Sequence, residues 1–425
     1  MSIRILFRSA ALFAAVAAAA CSDHTAKVLG PRPSDGNGIF QSYVALGNSI
    51  TAGYQSAGIS DSTQQRSYAA LLAKQMGTRF AYAPLANPGC PPPINNFLTQ
   101  TRVTPTGFPA STSSSCYLRS GTAAILNNVA VPGATTFDPD APSSTLTPSA
   151  NLLTQLILGG ENQVQRAREA DPTFATVWIG NNDVLAAAVS GMLTPTAGIS
   201  PGVTPQATFQ ANYDKLITDL TAGNSNLKGV LIGVVNVINA PILFSARVLQ
   251  SPAFLGALSQ ATGKAVTADP TTCTATTNSL ISFQIVAAIK AGTHPSTIYC
   301  EKTPQPPVGD VFVLDSGELA TLTGYITAVN SYISGKAQTA GFAYLDPNKA
   351  LDSLKLKNEI TATGPNFNAP TAPFGKWISL DGAHPSTCAH ILIADYLIDA
   401  INGKYSTSLS KIAVPSGTTC PEKLP

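Results

Sequence analysis

With 425 residues the chain can bury a large core, yet only 11% of it is charged and its formal net charge is +2. That balance leaves no basic footprint for nucleic acid. The apolar share of 44% is ordinary for a globular protein, so a surface this poor in charge must be rich in Ser, Thr, Asn, Gln and Gly, as in exported proteins.

Arg4 and Arg8 make a positive start, and Ala10 to Ala20 is a short apolar stretch ending in small residues. It is too short for a comfortable membrane span, and residues 1–20 read as an export signal. The run Ala18-Ala-Ala-Cys21 resembles a bacterial lipoprotein signal, in which cleavage leaves the cysteine as an acylated N-terminus. Cys21 is then a lipid anchor to the membrane, with simple cleavage and secretion as the alternative. Ser22 follows without an acidic residue to argue for inner-membrane retention, so the resemblance implies the outer membrane of a bacterial envelope. Residues 21–41 contain Gly30-Pro-Arg-Pro-Ser-Asp-Gly-Asn-Gly38, show no periodicity and read as a polar tether.

In Tyr43-Val-Ala-Leu-Gly-Asn-Ser-Ile-Thr-Ala-Gly53 an apolar strand over 42–46 ends at Gly47, and Ser49 follows almost at once. A strand that stops at small residues presents its next side chains at the sheet edge where α/β enzymes place their sites. Residues 67–76 have helical spacing. Residues 128–131 are a short strand ending at Pro132-Gly133. A helix over 163–170 precedes a buried strand over 173–179, which runs into Gly180-Asn-Asn-Asp183. Tyr213, Leu216, Ile217 and Leu220 space a helix over 209–221. Residues 227–237 form a continuous apolar run, as in a central parallel strand. A long helix over 316–340, a strand over 342–345 and a last helix over 386–402 follow, and 403–425 is a tail. Asp315 to Glu318 reads as the start of the long helix rather than as a second site.

Strands alternating with helices predict a parallel sheet covered on both faces. Length alone would suggest two or three domains. Two stretches break the rhythm, about 84–120 and 240–310, and both read as insertions on a single core spanning 42–402. Phe244, Phe254 and neighbouring leucines make the first half of the second insertion apolar. Its expected role is to line or cover a pocket for an acyl chain.

Once Cys21 is set aside, six cysteines remain: Cys90, Cys116, Cys273, Cys300, Cys388 and Cys420. An even number in an exported chain suggests disulfides, and six allow fifteen connectivities. Nearest-neighbour pairing, 90–116, 273–300 and 388–420, is the economical choice. A metal site is the weaker reading, because no CxxC pair exists and the histidines do not cluster with the cysteines.

Serine is a weak nucleophile until a positioned base takes its proton. In Leu380-Asp-Gly-Ala-His-Pro385, His384 is the candidate base and Asp381 the group that would orient it. Gly133 and the asparagines after Gly180 are candidate oxyanion donors, although taken singly each is an ordinary turn residue. His390 falls within the last helix and His294 in the second insertion, where packing and turn roles are expected.

Jointly, four segments resemble the SGNH (GDSL-type) hydrolase family: Leu46-Gly-Asn-Ser-Ile-Thr51, Asn128-Val-Ala-Val-Pro-Gly133, Gly180-Asn-Asn-Asp183 and Asp381-Gly-Ala-His-Pro385, in family order. The resemblance implies a three-layer α/β/α flavodoxin-like core with a parallel sheet, to which the two cysteine-bearing stretches add disulfide-bearing insertions. It implies Ser49 as nucleophile, with Asp381 and His384 as catalytic partners. The oxyanion donors would be Ser49 N–H, Gly133 and Asn182, the last favoured over Asn181 by the Gly-x-Asn-Asp spacing. One residue departs from the pattern: Asn48 stands where the family usually has Asp. The expected activity is hydrolysis of lipid or other acyl esters through an acyl-enzyme, with no cofactor and no metal. An acyltransferase, a carbohydrate deacetylase and a non-catalytic binding lipoprotein are the alternatives.

Overall fold

The computed structural model describes residues 38–116, 124–142, 148–302, 311–356 and 364–414. The export signal, Cys21, His24 and Cys420 lie outside them.

Nine strands fall among the described residues: β1 (Tyr43–Gly47), β2 (Phe174–Trp178), β3 (Lys228–Ile232), β4 (Leu243–Ser245), β5 (Thr267–Ala268), β6 (Leu280–Ser282), β7 (Thr297–Ile298), β8 (Val313–Leu314) and β9 (Ala343–Leu345). The main sheet is parallel throughout, in the order β1-β2-β3-β9. Residues 127–131 extend it beyond β1. Ala45 N–H donates to Asn127 O at 2.7 Å, and Val129 and Val131 N–H return to Ala45 O and Gly47 O at 3.0 and 3.1 Å. With this segment counted second, the order becomes 2-1-3-4-5, the flavodoxin-like arrangement.

Both sheet faces are apolar because both are covered. Val44, Leu46, Val177 and Leu231 pack against the helices Gln163–Glu169, Gln206–Thr221 and Ser316–Ala340. Tyr43, Ala45, Phe174, Val230 and Ile232 alternate to the other face, under the helices Tyr68–Met76 and Thr387–Tyr405.

The apolar run 227–237 is a strand only as far as Ile232. Beyond it, asparagine side chains take over from neighbouring strands. Val234 N–H donates to Asn330 Oδ1 at 2.6 Å, Val235 N–H to Asn181 Oδ1 at 2.9 Å, and Asn236 N–H to Asn348 Oδ1 at 2.6 Å. The chain therefore leaves the sheet as a loop that rides over its C-terminal edge.

The second insertion has its own small sheets, β5-β7 parallel and β4-β6 antiparallel, the latter extended by β8 just beyond the insertion. Its core gathers Phe244, Leu249, Leu258, Ile281, Ile285 and Ile289, all buried, with Phe254 and Leu255 packed against them. The apolar residues expected to line an acyl pocket are thus spent on holding the insertion together. The disulfides Cys90–Cys116 and Cys273–Cys300 form as nearest neighbours, one in each insertion. Cys388 is also disulfide-bonded. Phe97 of the first insertion meets Phe283 of the second with ring centroids 5.0 Å apart.

Candidate active site

β1 ends at Gly47, where a Cβ would lie 2.5 Å from Trp178 O and 2.4 Å from Thr51 Oγ1, so only glycine fits. Gln163 clamps this residue from a helix, its Oε1 accepting Gly47 N–H at 2.8 Å and its Nε2 donating to Gly47 O at 2.9 Å. Asn48 then caps the one-turn helix Ser49–Ala52, its Oδ1 accepting Ile50 N–H at 3.2 Å. The cap needs an acceptor oxygen, which Asn and Asp both carry. Gly53, at φ +88°, closes the turn. Ser49 thus stands first in the helix, at the edge where β1 and β2 both end.

The far end of the chain brings the base. Ser386 caps the helix Thr387–Tyr405, and the loop before it carries Asp381 and His384. His384 Nε2 lies 2.9 Å from Ser49 Oγ, and His384 Nδ1 lies 2.9 Å from Asp381 Oδ2. The carboxylate is saturated with donors. Its Oδ2 also accepts Ala57 N–H at 2.7 Å; its Oδ1 accepts the N–H groups of Ala383 and His384 at 2.9 and 2.8 Å and the Ser379 hydroxyl at 3.2 Å. Burial pushes the Asp381 carboxyl up, but the His384 imidazole and the backbone N–H groups outweigh it and hold the group well below the usual carboxylate range. An ionised Asp381 only accepts, so Nδ1 must carry the imidazole proton and Nε2 is left to accept from the serine hydroxyl.

Tyr54 leans on the His384 ring, centroids 4.8 Å apart at 52°. Burial, then the Asp381 charge, push its phenol up to about 12, against the pull of Arg102. The phenol therefore stays neutral beside the imidazole.

The oxyanion candidates come from two further loops. Gly133, at φ +86°, lies in the turn closed by Ala134 N–H to Val131 O at 3.2 Å. Asn182 opens the helix Asn182–Ser190 after β2, and its Nδ2 donates to Ala134 O at 2.8 Å, tying the two loops together. That nitrogen has a second hydrogen to offer. Asn181 instead holds the loop after β3, as described above. A second tie went unread in the sequence. Asp183, buried, accepts the Thr136 N–H at 2.8 Å and its hydroxyl at 2.7 Å. Burial pushes the Asp183 carboxyl up to about 6, against the pull of those bonds.

A cavity of about 130 Å³ opens beside Ser49, His384, Asn181 and Asn182. Much of its remaining wall comes from the loop after β3, the helix Pro347–Leu356 and the helix Thr387–Tyr405, and Trp178, Leu185, Leu345, Trp377 and Ile378 also line it. Of the second insertion as read from the sequence, only Ala240 reaches it. The helix 347–356 was missed in the sequence although its signal is there: Asp346 Oδ1 accepts Asn348 N–H at 3.0 Å, Pro347 starts the helix, and Leu351 and Leu354 share a face.

The other two described histidines serve the fold. His390 is fully buried and its Nδ1 accepts Tyr68 N–H at 3.1 Å. His294 Nδ1 lies 2.8 Å from Pro295 O in the second insertion. At the start of the long helix Asp315 is the cap, in a capping box with Glu318.

A doubly covered parallel sheet with a serine, a histidine and an aspartate in one hydrogen-bonded line at its C-terminal edge defines the class of the protein, a three-layer α/β fold with a candidate site at that edge. The family model for GDSL-like lipases and acylhydrolases matches residues 43–397, and the chain belongs to that family. Among curated proteins none matches the sequence.

Proposed function

We propose that the protein is a serine hydrolase of carboxylic esters. The observation that carries this reading is the line Ser49 Oγ, His384 Nε2, His384 Nδ1, Asp381 Oδ2, each contact 2.9 Å long. Ser49 attacks the ester carbonyl while His384 takes its proton, and Asp381 stabilises the imidazolium. The developing oxyanion is met by the Ser49 N–H, the Gly133 N–H and the Asn182 amide. His384 returns the proton to the leaving alcohol. A water, activated by the same imidazole, then releases the acid and regenerates Ser49. Hydrolysis of 4-nitrophenyl esters by wild type and Ser49→Ala, with product analysis in the presence of a competing alcohol, tests the reaction. Free acid as the main product is expected. A product consisting chiefly of the new ester would make the protein an acyltransferase, and equal rates for the two proteins would exclude Ser49 as nucleophile.

The same reading places the enzyme in a bacterial envelope, held to the outer membrane by a lipid on Cys21. Two cysteine pairs in the oxidised state support an oxidising compartment. Palmitate incorporation in the producing cells should depend on Cys21, and incorporation that survived Cys21→Ser would exclude the anchor.

A further inference from the structure

The cavity beside Ser49 is divided by chemistry. The hydrogen-bonding groups Asn48, Ser49, Asn181, Asn182 and His384 line its catalytic end. Away from them the wall is almost wholly apolar, with Val235, Val237, Ala350, Leu351, Leu392 and Ile393 among its residues. No lysine, arginine, aspartate or glutamate lines it among the described residues. The loop after β3 sorts its side chains: Val235, Val237 and Ala240 line this cavity, while Asn236 and Asn239 line a separate polar groove.

We infer that this cavity receives an unbranched hydrocarbon chain of the ester, of about six carbons. The inference rests on the proposed esterase reaction and names the substrate class for it. Size sets the length, because a dry apolar cavity of about 150 Å³ accommodates a benzene molecule and this one measures about 130 Å³. Chemistry sets the kind of group. A sugar hydroxyl placed among Val237, Leu351 and Leu392 would lose its hydrogen bonds to water and find none in return. An acetyl group would leave the apolar wall unused. Each added methylene buried there is worth about fourfold in kcat/KM, so four methylenes beyond acetyl give about two orders of magnitude.

The chain could belong to the acyl group or to the alcohol, and two substrate series separate these. In the first, 4-nitrophenyl esters run from acetyl to decanoyl; in the second, alkyl acetates run from methyl to decyl. One series should peak near six carbons, and that series identifies the chain. Ala350→Phe, which fills the cavity from the helix Pro347–Leu356, should move the optimum to shorter chains. Leu351→Ala, which enlarges it, should move the optimum to longer ones. Fluorophosphonate labelling of Ser49 in each variant reports an intact site, so lost folding is recognised as such. Flat dependence on chain length in both series, or an unmoved optimum in variants that still label, overturns the inference and leaves the esterase reading standing. Failure of the wild type to label or to cleave any ester removes that reading, and the inference with it.

Discussion

At position 48 the acceptor oxygen, rather than the charge of the family's usual aspartate, is what the turn uses, since Asn48 Oδ1 caps the helix that starts at Ser49. Charge matters at Asp381 instead, where five hydrogen bonds reach the two carboxylate oxygens. Asp381→Asn keeps the shape but offers a single acceptor oxygen, and its amide can force the wrong imidazole tautomer. Such a change should lower kcat by about 10⁴-fold, with KM little altered, as steady-state kinetics would show. A loss under tenfold would mean that Asp381 does not set the tautomer. The meeting of Ser49, His384 and Asp381 at one sheet edge was legible in the sequence because each sits in a short motif with its own turn chemistry. Tyr54, Ala57 and Ser379 were not, because their roles depend on contacts made across more than three hundred residues.

Among the elements, the first insertion reaches the site indirectly. Ser56 and Ala57 both adopt left-handed backbone, φ +54° and +53°, uncommon for residues other than glycine. That conformation lets Ser56 N–H reach Ser379 Oγ at 2.9 Å and Ala57 N–H reach Asp381. Arg102 of the insertion locks the loop from behind, its guanidinium donating to Ala57 O at 2.8 Å and to Pro92 O at 2.5 Å. Arg102→Met should release the Ala57 N–H from Asp381 and lower kcat by about 10- to 100-fold, with recovery in Arg102→Lys. Unchanged kcat in Arg102→Met would show that the loop holds itself. The insertions were legible as breaks in the strand–helix rhythm, and two of the disulfides as nearest neighbours. The direction in which the apolar part of the second insertion would pack was not legible, since a run of large apolar residues reads alike whether it closes its own core or lines a pocket. The early end of β3 was hidden for a related reason: Val234, Val235 and Val237 continue the strand pattern, while the asparagines that end it lie on other elements.

Across the whole molecule, two buried groups give stability opposite dependences on acid. Asp183 titrates near 6 in the folded protein, above the ordinary carboxylate value. Its contribution is fully present below about pH 4 and is lost as pH rises through about 6. For His390, burial first and then the charges of His384 and Arg66 hold the imidazole to about 3. Its contribution is present above about pH 6.5 and is lost as pH falls toward 3. The two therefore oppose one another across the mildly acid range. Asp183→Asn can keep both Thr136 contacts, through its carbonyl oxygen and its amide hydrogens, without the buried charge. Relative to wild type it should gain stability between pH 4 and pH 7, by about 3 kcal/mol at the upper end. Denaturant unfolding at a series of pH values reads this, and a difference constant with pH would contradict it.

The proposed chemistry depends on Ser49 as the nucleophile and His384 as its base. Fluorophosphonate labelling, with the modified peptide located by mass spectrometry, tests it most directly. One adduct on the peptide containing Ser49 is expected for the wild type, with none in Ser49→Ala and a much slower reaction in His384→Ala. An unlabelled wild type, or an adduct that persists in Ser49→Ala, would contradict it.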